Sequence, residues 1–411
     1  MEIDNKINLG FSGGGFRATF YCLGAYRRLV ELGLEKHVRA ITSVSGGSIA
    51  AGAIISALAD GEFNSLLDFD RRVTTKLLNL GQCDFRKRIM EKASWTTRLL
   101  PYLPKLQQLA LAASLRPEMS RAFPQVLDEE LFEGKLMCET ETDTEWSCNA
   151  TCINTLKRFR FKSSDIYGYF LGRSYDIGDI PVAFAVAASA AYPVGFAPLE
   201  LDVTERFFTD AYDTGINKPE NPPKLYLTDG GVYDNLGSES LLRSSVPLVM
   251  LDASGESGPL WDNSLMTKAE QVNRMLAVGL DQVVYLRRRI LYLAQGHQQI
   301  LLGRGLAKIV EYWRERGEKN LETEHLLQAE HLCGSLRTDM DGFHDVEIDY
   351  LMWLGAIKMD YVLRLLMPEN ERLQKSKMPT LPAYDTFFAE DILERGTEMS
   401  IFEPLHKKLH L

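Results

Sequence analysis

The order of elements predicts a three-layer α/β/α fold with a mainly parallel central sheet, extended by a helical C-terminal part. Three observations carry this. A short apolar run, Ile7–Phe11, meets a glycine turn and then a helix-patterned run, Phe16–Leu32. A second strand-like run, Ala40–Val44, meets Ser45-Gly46-Gly47 and a second helical run, Gly47–Ala59. Successive strand–turn–helix units need parallel strands joined by crossover helices. Beyond Leu265 the pattern is almost wholly helical.

Each element has a local reason. Phe20, Leu23, Tyr26 and Leu29 recur at helical spacing, and Gly33 is placed to cap the helix they form. A Leu-rich, basic and proline-broken stretch covers Phe85–Arg121. Trp146–Asn154 and Arg158–Phe161 read as strands, and Pro181–Ala191 as a helix of small residues. Lys224–Thr228 is a strand ending at Gly230-Gly231, and Val246–Leu251 is another. Later helices are expected over Met266–Val278, Val283–Gln295, His297–Arg314 and Glu347–Leu366. No repeat, low-complexity tract or linker divides the chain. The expected organisation is an α/β core over 1–255, carrying a helical insertion at about 60–130, and a helical extension over 256–411 packed on it.

Composition narrows the function. The 411 residues are 45% hydrophobic and 25% charged, which suits a folded globular chain. A net charge of -10 argues against a protein that coats nucleic acid. Of six scattered cysteines only Cys148 and Cys152 are close, without the second pair a zinc site requires. Met1–Lys6 is polar, and the apolar run Val182–Leu199 is broken by Pro193, Gly195 and Pro198. Neither reads as a signal peptide or a membrane span, so a cytoplasmic protein is expected.

Three segments carry chemistry. Gly13-Gly14-Gly15-Phe16-Arg17-Ala18 joins a strand to a helix. Glycine amides at a helix start bind either a pyrophosphate or the alkoxide of an acyl-transfer intermediate, and a plain structural turn remains open. A dinucleotide domain places an acidic residue after its second strand to hold the ribose. Here Ser45-Gly46-Gly47 stands there, which favours the oxyanion reading over a nucleotide-binding oxidoreductase. Ser45 sits where a nucleophile elbow belongs, a sharp turn that lifts a hydroxyl out of the sheet. It also sits where a plain helix cap belongs. Ser43 takes the place of the elbow's first glycine, and Ser43 and Ser48 are the rival nucleophiles.

A serine needs a proton acceptor. Of seven histidines, His37 lies in a charged turn and the other six fall in the helical C-terminal part. Asp229, at a strand end before Gly230-Gly231, is the better candidate, with Asp234 as rival and an ordinary Asp-Gly turn as the alternative.

In this order, Gly13-Gly14-Gly15-Phe16-Arg17-Ala18, Ser45-Gly46-Gly47, Ala188-Ser189-Ala190-Ala191-Tyr192-Pro193 and Asp229-Gly230-Gly231 resemble the patatin-like phospholipases of bacterial type. The resemblance covers roughly the first 255 residues. It implies the three-layer fold, a Ser45–Asp229 dyad, and an oxyanion site from the Gly13, Gly14 and Gly15 amides with Arg17 nearby. Gly46, Gly47, Gly230 and Gly231 would support the elbow and the turn. The implied activity is hydrolysis of phospholipid acyl esters through an acyl-enzyme, with no metal and no cofactor. Some family members are signal-activated, membrane-degrading effectors of anti-phage defence, so a small-molecule activator and self-association join membrane phospholipid as partners to consider. Two other functions compete: an esterase for soluble esters with a Ser–Asp–His triad using His344, and an inactive lipid-binding scaffold.

The basic stretch adds an expectation. Arg86, Lys87, Arg88, Lys92, Arg98, Lys105, Arg116 and Arg121 are interleaved with Trp95, Leu99 and Leu100. This suits a lid that lies on an anionic membrane surface, or an amphipathic core helix with a solvated face.

Overall fold

The computed structural model describes residues 6–94, 116–193, 195–209, 223–255, 268–294, 296–318 and 321–398. The strands are β1 (Ile7–Phe11), β2 (Val38–Val44), β3 (Glu145–Cys152), β4 (Lys157–Phe161), β5 (Ile166–Gly168), β6 (Gly172–Ser174), β7 (Leu199–Asp202), β8 (Lys224–Asp229), β9 (Leu248–Asp252) and β10 (Gln298–Leu301). They form one sheet in the order β10-β9-β1-β2-β3-β4-β5-β6, with β8 paired to β3 and β7. Pairings from β10 to β3 are parallel, and those beyond β3 are antiparallel. β1 and β9 are buried along their whole length. That is why they read as continuous apolar runs rather than alternating ones.

The helices that concern the site are α1 (Gly15–Leu32), α2 (Gly46–Ala59), α3 (Phe85–Ala93), α4 (Arg116–Leu127), α5 (Val182–Ala190), α6 (Lys268–Leu293), α7 (Leu306–Glu315), α8 (Thr323–Ser335), α9 (Asp345–Leu366) and α10 (Thr386–Glu398). α1 is buried nearly all round. Besides the sheet layer it meets α9, and the two helices approach backbone to backbone. A side chain at Gly24 would collide with the backbone of Met352, and one at Gly355 with the carbonyl of Tyr21. Buried charges lock this contact. Arg28 of α1 pairs with Asp360 of α9 at 2.6 Å, and Arg364 pairs with the same carboxylate at 2.7 Å.

The described residues from 268 onward are therefore woven into the core. The helix expected over His297–Arg314 begins instead as β10, which extends the sheet beside β9, and only Leu306–Glu315 is helical. Gly296, Gly303 and Gly305 bracket this short run, and pairing with an edge strand overrides its helical spacing. From α9, Lys358 reaches back to the carbonyls of Leu301 and Leu302 at the end of β10. The two helices expected over Met266–Val278 and Val283–Gln295 are one, α6, which runs through Gly279. A single interior glycine costs only about 1 kcal/mol.

Candidate active site

The parallel strands bring their C-terminal ends to one edge, where ligands of α/β sheets gather. β2 pairs with the first part of β3, ending at Val44 opposite Asn149. β8 runs antiparallel to β3 and pairs with its second part, ending at Asp229 opposite Ala150. Both strands thus occupy the same lane beside β3 and meet end to end. The residue after Val44 is Ser45, and the last residue of β8 is Asp229. Their side chains touch: Ser45 Oγ donates to Asp229 Oδ2 at 2.7 Å.

Ser45 is held in an uncommon conformation, φ 51° and ψ -125°, immediately before α2. A non-glycine residue at positive φ costs of order 1–3 kcal/mol and persists only where its surroundings enforce it. Those surroundings are specific. The Ser45 amide donates to Ser189 of α5, to both its carbonyl (3.1 Å) and its hydroxyl (3.0 Å). Gly46 lies against the Gly15 carbonyl and Gly47 against those of Phe11 and Ser12, so neither place admits a side chain. Ser43 and Ser48 are engaged elsewhere. Trp146 donates its indole N–H to Ser43 Oγ at 3.0 Å, and the Ser48 hydroxyl bonds to Ser43 and Ser189 at 2.9 Å each. A hydroxyl at 43, where the elbow pattern has glycine, thus serves a buried tryptophan.

Asp229 is 4% exposed and Ser45 7%. Burial pushes the Asp229 carboxyl up from 3.8 to about 6, and hydrogen bonds from Ser45 and Gly231 offset part of the rise. The Gly231 amide reaches Oδ1 at 2.7 Å. Gly230 packs on the carbonyl of Asn149, its amide donating to Ser189 O at 3.0 Å. Asp234 has a different task. It accepts from the Leu236 and Glu239 amides and from the Ser238 hydroxyl, with Arg287 nearby at 3.6 Å. It ties a turn. His344 caps α9 by accepting from Val346, and its ring meets Phe388. No histidine bonds to Ser45 or Asp229 among the described residues.

Two groups of the glycine loop are engaged away from Ser45. The Gly13 amide donates to Asn235 O at 2.9 Å, so it is spent on holding the loop rather than open to an oxyanion. Gly14 (φ 139°) and Gly15 (φ 57°) adopt backbone angles that suit glycine. Their amides have no acceptor among the described residues. Arg17 does not turn to the site either. Its guanidinium donates to the carbonyls of Ala253 (2.8 Å), Gly334 (3.1 Å) and Leu336 (2.5 Å). Burial lowers it to about 10, so it stays charged at neutral pH.

Sequence reasoning overlooked three supports. Ser189 braces the Ser45 amide. Asn149 ties β2 to β3 through Thr42 Oγ1 and Ser43 O. Asn235 holds Gly13. Ser189 lay inside a quoted motif, yet only the fold shows its partner. The six cysteines are all free. No group of metal-binding side chains is found among the described residues, and none of their helices is long and apolar enough to cross a membrane.

The central part of the basic stretch, 95–115, with Trp95, Leu99, Leu100, Arg98 and Lys105, lies outside the described residues. Its two flanks are pinned to the protein. Arg86 pairs with Asp339, Arg88 with Glu130 and Lys92 with Glu129, and Arg116 donates to the carbonyls of Pro193 and Phe196.

The family model of the patatin-like phospholipases matches residues 9–242, which is more than half of the chain and includes Gly13–Gly15, Ser45, Ser189 and Asp229. The chain belongs to the patatin-like phospholipase family. No curated protein sequence matches it. Among solved structures, human GIVD cytosolic phospholipase A2 superposes with a TM-score of 0.50 at 12% identity, over 91% of this chain and 64% of that one. This patatin-like chain thus spans less than two thirds of that protein's length, and the likeness speaks for the fold. VipD from Legionella pneumophila is matched with a TM-score of 0.30 at 14% identity, over 99% of this chain and 94% of that one.

Proposed function

We propose that this patatin-like chain hydrolyses acyl esters of membrane phospholipids, with Ser45 as nucleophile and Asp229 as its base. The observation that carries this is the 2.7 Å hydrogen bond from Ser45 Oγ to the buried Asp229 carboxylate at a strained strand–helix turn. A carboxyl near 6 is ionised at neutral pH yet basic enough to take a proton during attack. As Oγ bonds to the ester carbonyl, its proton passes to Asp229. The carbonyl oxygen becomes an oxyanion, for which the free amides of Gly14 and Gly15 are the donors. Each such donor is typically worth about 2.7–4 kcal/mol of barrier. The leaving alcohol takes the proton from Asp229. Water then attacks the acyl-enzyme with Asp229 again as base, releasing the fatty acid.

A lipid surface as partner is supported by α6. Met275, Val278, Leu286, Ile290 and Leu293 fall on one helical face, 69%, 63%, 54%, 45% and 78% exposed. Arg289 lies on the same face, exposed and without an ion-pair partner among the described residues. Apolar side chains with a free cation suit the boundary between head groups and acyl chains. Peripheral binding to the inner face of the membrane is thus part of the proposal. An activity of that kind requires restraint, which is where a small-molecule activator enters.

The test is mass spectrometry of lipids released from mixed phospholipid vesicles by the full chain, with and without candidate cyclic nucleotides. Fatty acid and lysolipid are expected from the native chain and none from Ser45→Ala. Release by Ser45→Ala within about tenfold of the native rate, a barrier change of only about 1.4 kcal/mol, would move the nucleophile elsewhere.

A further inference from the structure

Gly14 and Gly15 have no side chains with which to hold themselves in place. Their surfaces rest on backbone supplied from elsewhere. Gly14 lies on the carbonyl of Ala253, just beyond β9. Gly15 lies on the carbonyls of Thr338 and Asp339, between α8 and α9. The Asp339 carbonyl also accepts from the Phe16 amide at 3.4 Å. One side chain ties these two supports together. Arg17 donates to Ala253 O through Nε and Nη2, and to Gly334 O and Leu336 O through Nη1. The same support is also held by α3, where Arg86 pairs with the Asp339 carboxylate and donates its amide to Met340 O at 2.9 Å.

Resting on the acyl-hydrolase reading, we propose that Arg17 is a positioning residue. It clamps the Ala253 backbone and the segment 334–339 against Gly14 and Gly15, so that the C-terminal helical part sets the oxyanion amides. Arg17 touches no reacting atom in this scheme. A planar guanidinium suits the task, because its fixed fork satisfies three carbonyls from two directions at once. The Arg17 guanidinium itself makes no hydrogen bond to Ser45 or Asp229 among the described residues.

The experiment uses the full chain, a soluble aryl ester and an alkyl trifluoromethyl ketone. The ketone reports on the oxyanion site: Ser45 Oγ bonds to its carbonyl carbon, the oxygen becomes the anion, and the proton goes to Asp229. Variants are Arg17→Ala, Arg17→Lys and Asp339→Ala, with thermal unfolding measured for each. Asp339→Ala keeps the test sound if Arg17→Ala fails to fold. The expected result is a kcat lower by about 10²-fold, the size of effect a misplacement of about 1 Å produces. KM should stay within about twofold, ketone affinity should fall in step with kcat, and Arg17→Lys should recover part of the loss. A fall in kcat without a matching loss of ketone affinity, or one that tracks the folded fraction, overturns the proposal. So does full activity in the variants. If the native chain cleaves no ester, or Ser45→Ala still does, the hydrolase reading itself fails and the clamp falls with it.

Discussion

Replacing Asp229 by Asn is expected to stabilise the folded protein at neutral pH while abolishing its activity. The carboxyl is carried from 3.8 to about 6 by burial, so the folded chain binds this proton more tightly than the unfolded chain does. A group with that sign adds stability that is fully present below about pH 3.8 and is lost as pH rises through about 6. At about 1.4 kcal/mol per pH unit, the ionised carboxylate costs the fold about 3 kcal/mol at pH 7. An amide fills the same space, and its oxygen still accepts from the Gly231 amide. The gain on substitution should therefore approach about 3 kcal/mol at pH 7 and fall below about 1 kcal/mol near pH 4. Urea unfolding of the native chain and Asp229→Asn across that range measures it, and ester turnover is followed on the same samples. A gain that does not depend on pH, or a variant less stable than the native chain at pH 7, would refute the reasoning. The first result would mean the carboxyl titrates at its ordinary value. The second would mean that its two hydrogen bonds outweigh its desolvation.

On the proposed dyad, the same carboxyl sets the acid limb of the rate profile. kcat/KM on a soluble ester should drop tenfold per pH unit below about 6, whereas a limb near pH 4 would point to another base. Exchanging Leu286 and Leu293 of α6 for Glu should weaken hydrolysis of anionic vesicles about tenfold or more and leave the soluble ester untouched. Equal rates on both substrates would remove α6 from the membrane contact.

How much was legible follows from the range of the forces involved. β1, α1, β2 and α2 were read correctly because their signals are local: apolar runs, glycine turns and helical spacing inside a window of some twenty residues. The antiparallel extension beyond β3 was invisible, since pairing direction depends on which strand a segment finds. β10 was misread for the same reason. Its pairing with Val249–Asp252 is a contact across half a hundred residues, and nothing within Gln298–Leu301 announces it.

The site divides along the same line. Ser45 and Asp229 were picked out singly, each from the turn it occupies, and the fold brings them together because two strand ends share one lane beside β3. Arg17 was placed by its proximity in sequence to the glycines, and that argument fails for a side chain several ångströms long. Its acceptors lie 236, 317 and 319 residues away. A buried cation takes whichever carbonyls the fold delivers, because leaving its N–H groups unpaired costs more than any local preference repays. Gly13 obeys the same rule: once Asn235 O is within reach, the amide is bonded. On the proposed mechanism the amides left for chemistry are those that folding does not satisfy: Gly14 and Gly15 have no amide acceptor among the described residues, and the neighbouring carbonyls of Ala253, Thr338 and Asp339 face their Cα atoms. An oxyanion site is thus defined by what the fold withholds, and short motifs record only what the chain offers.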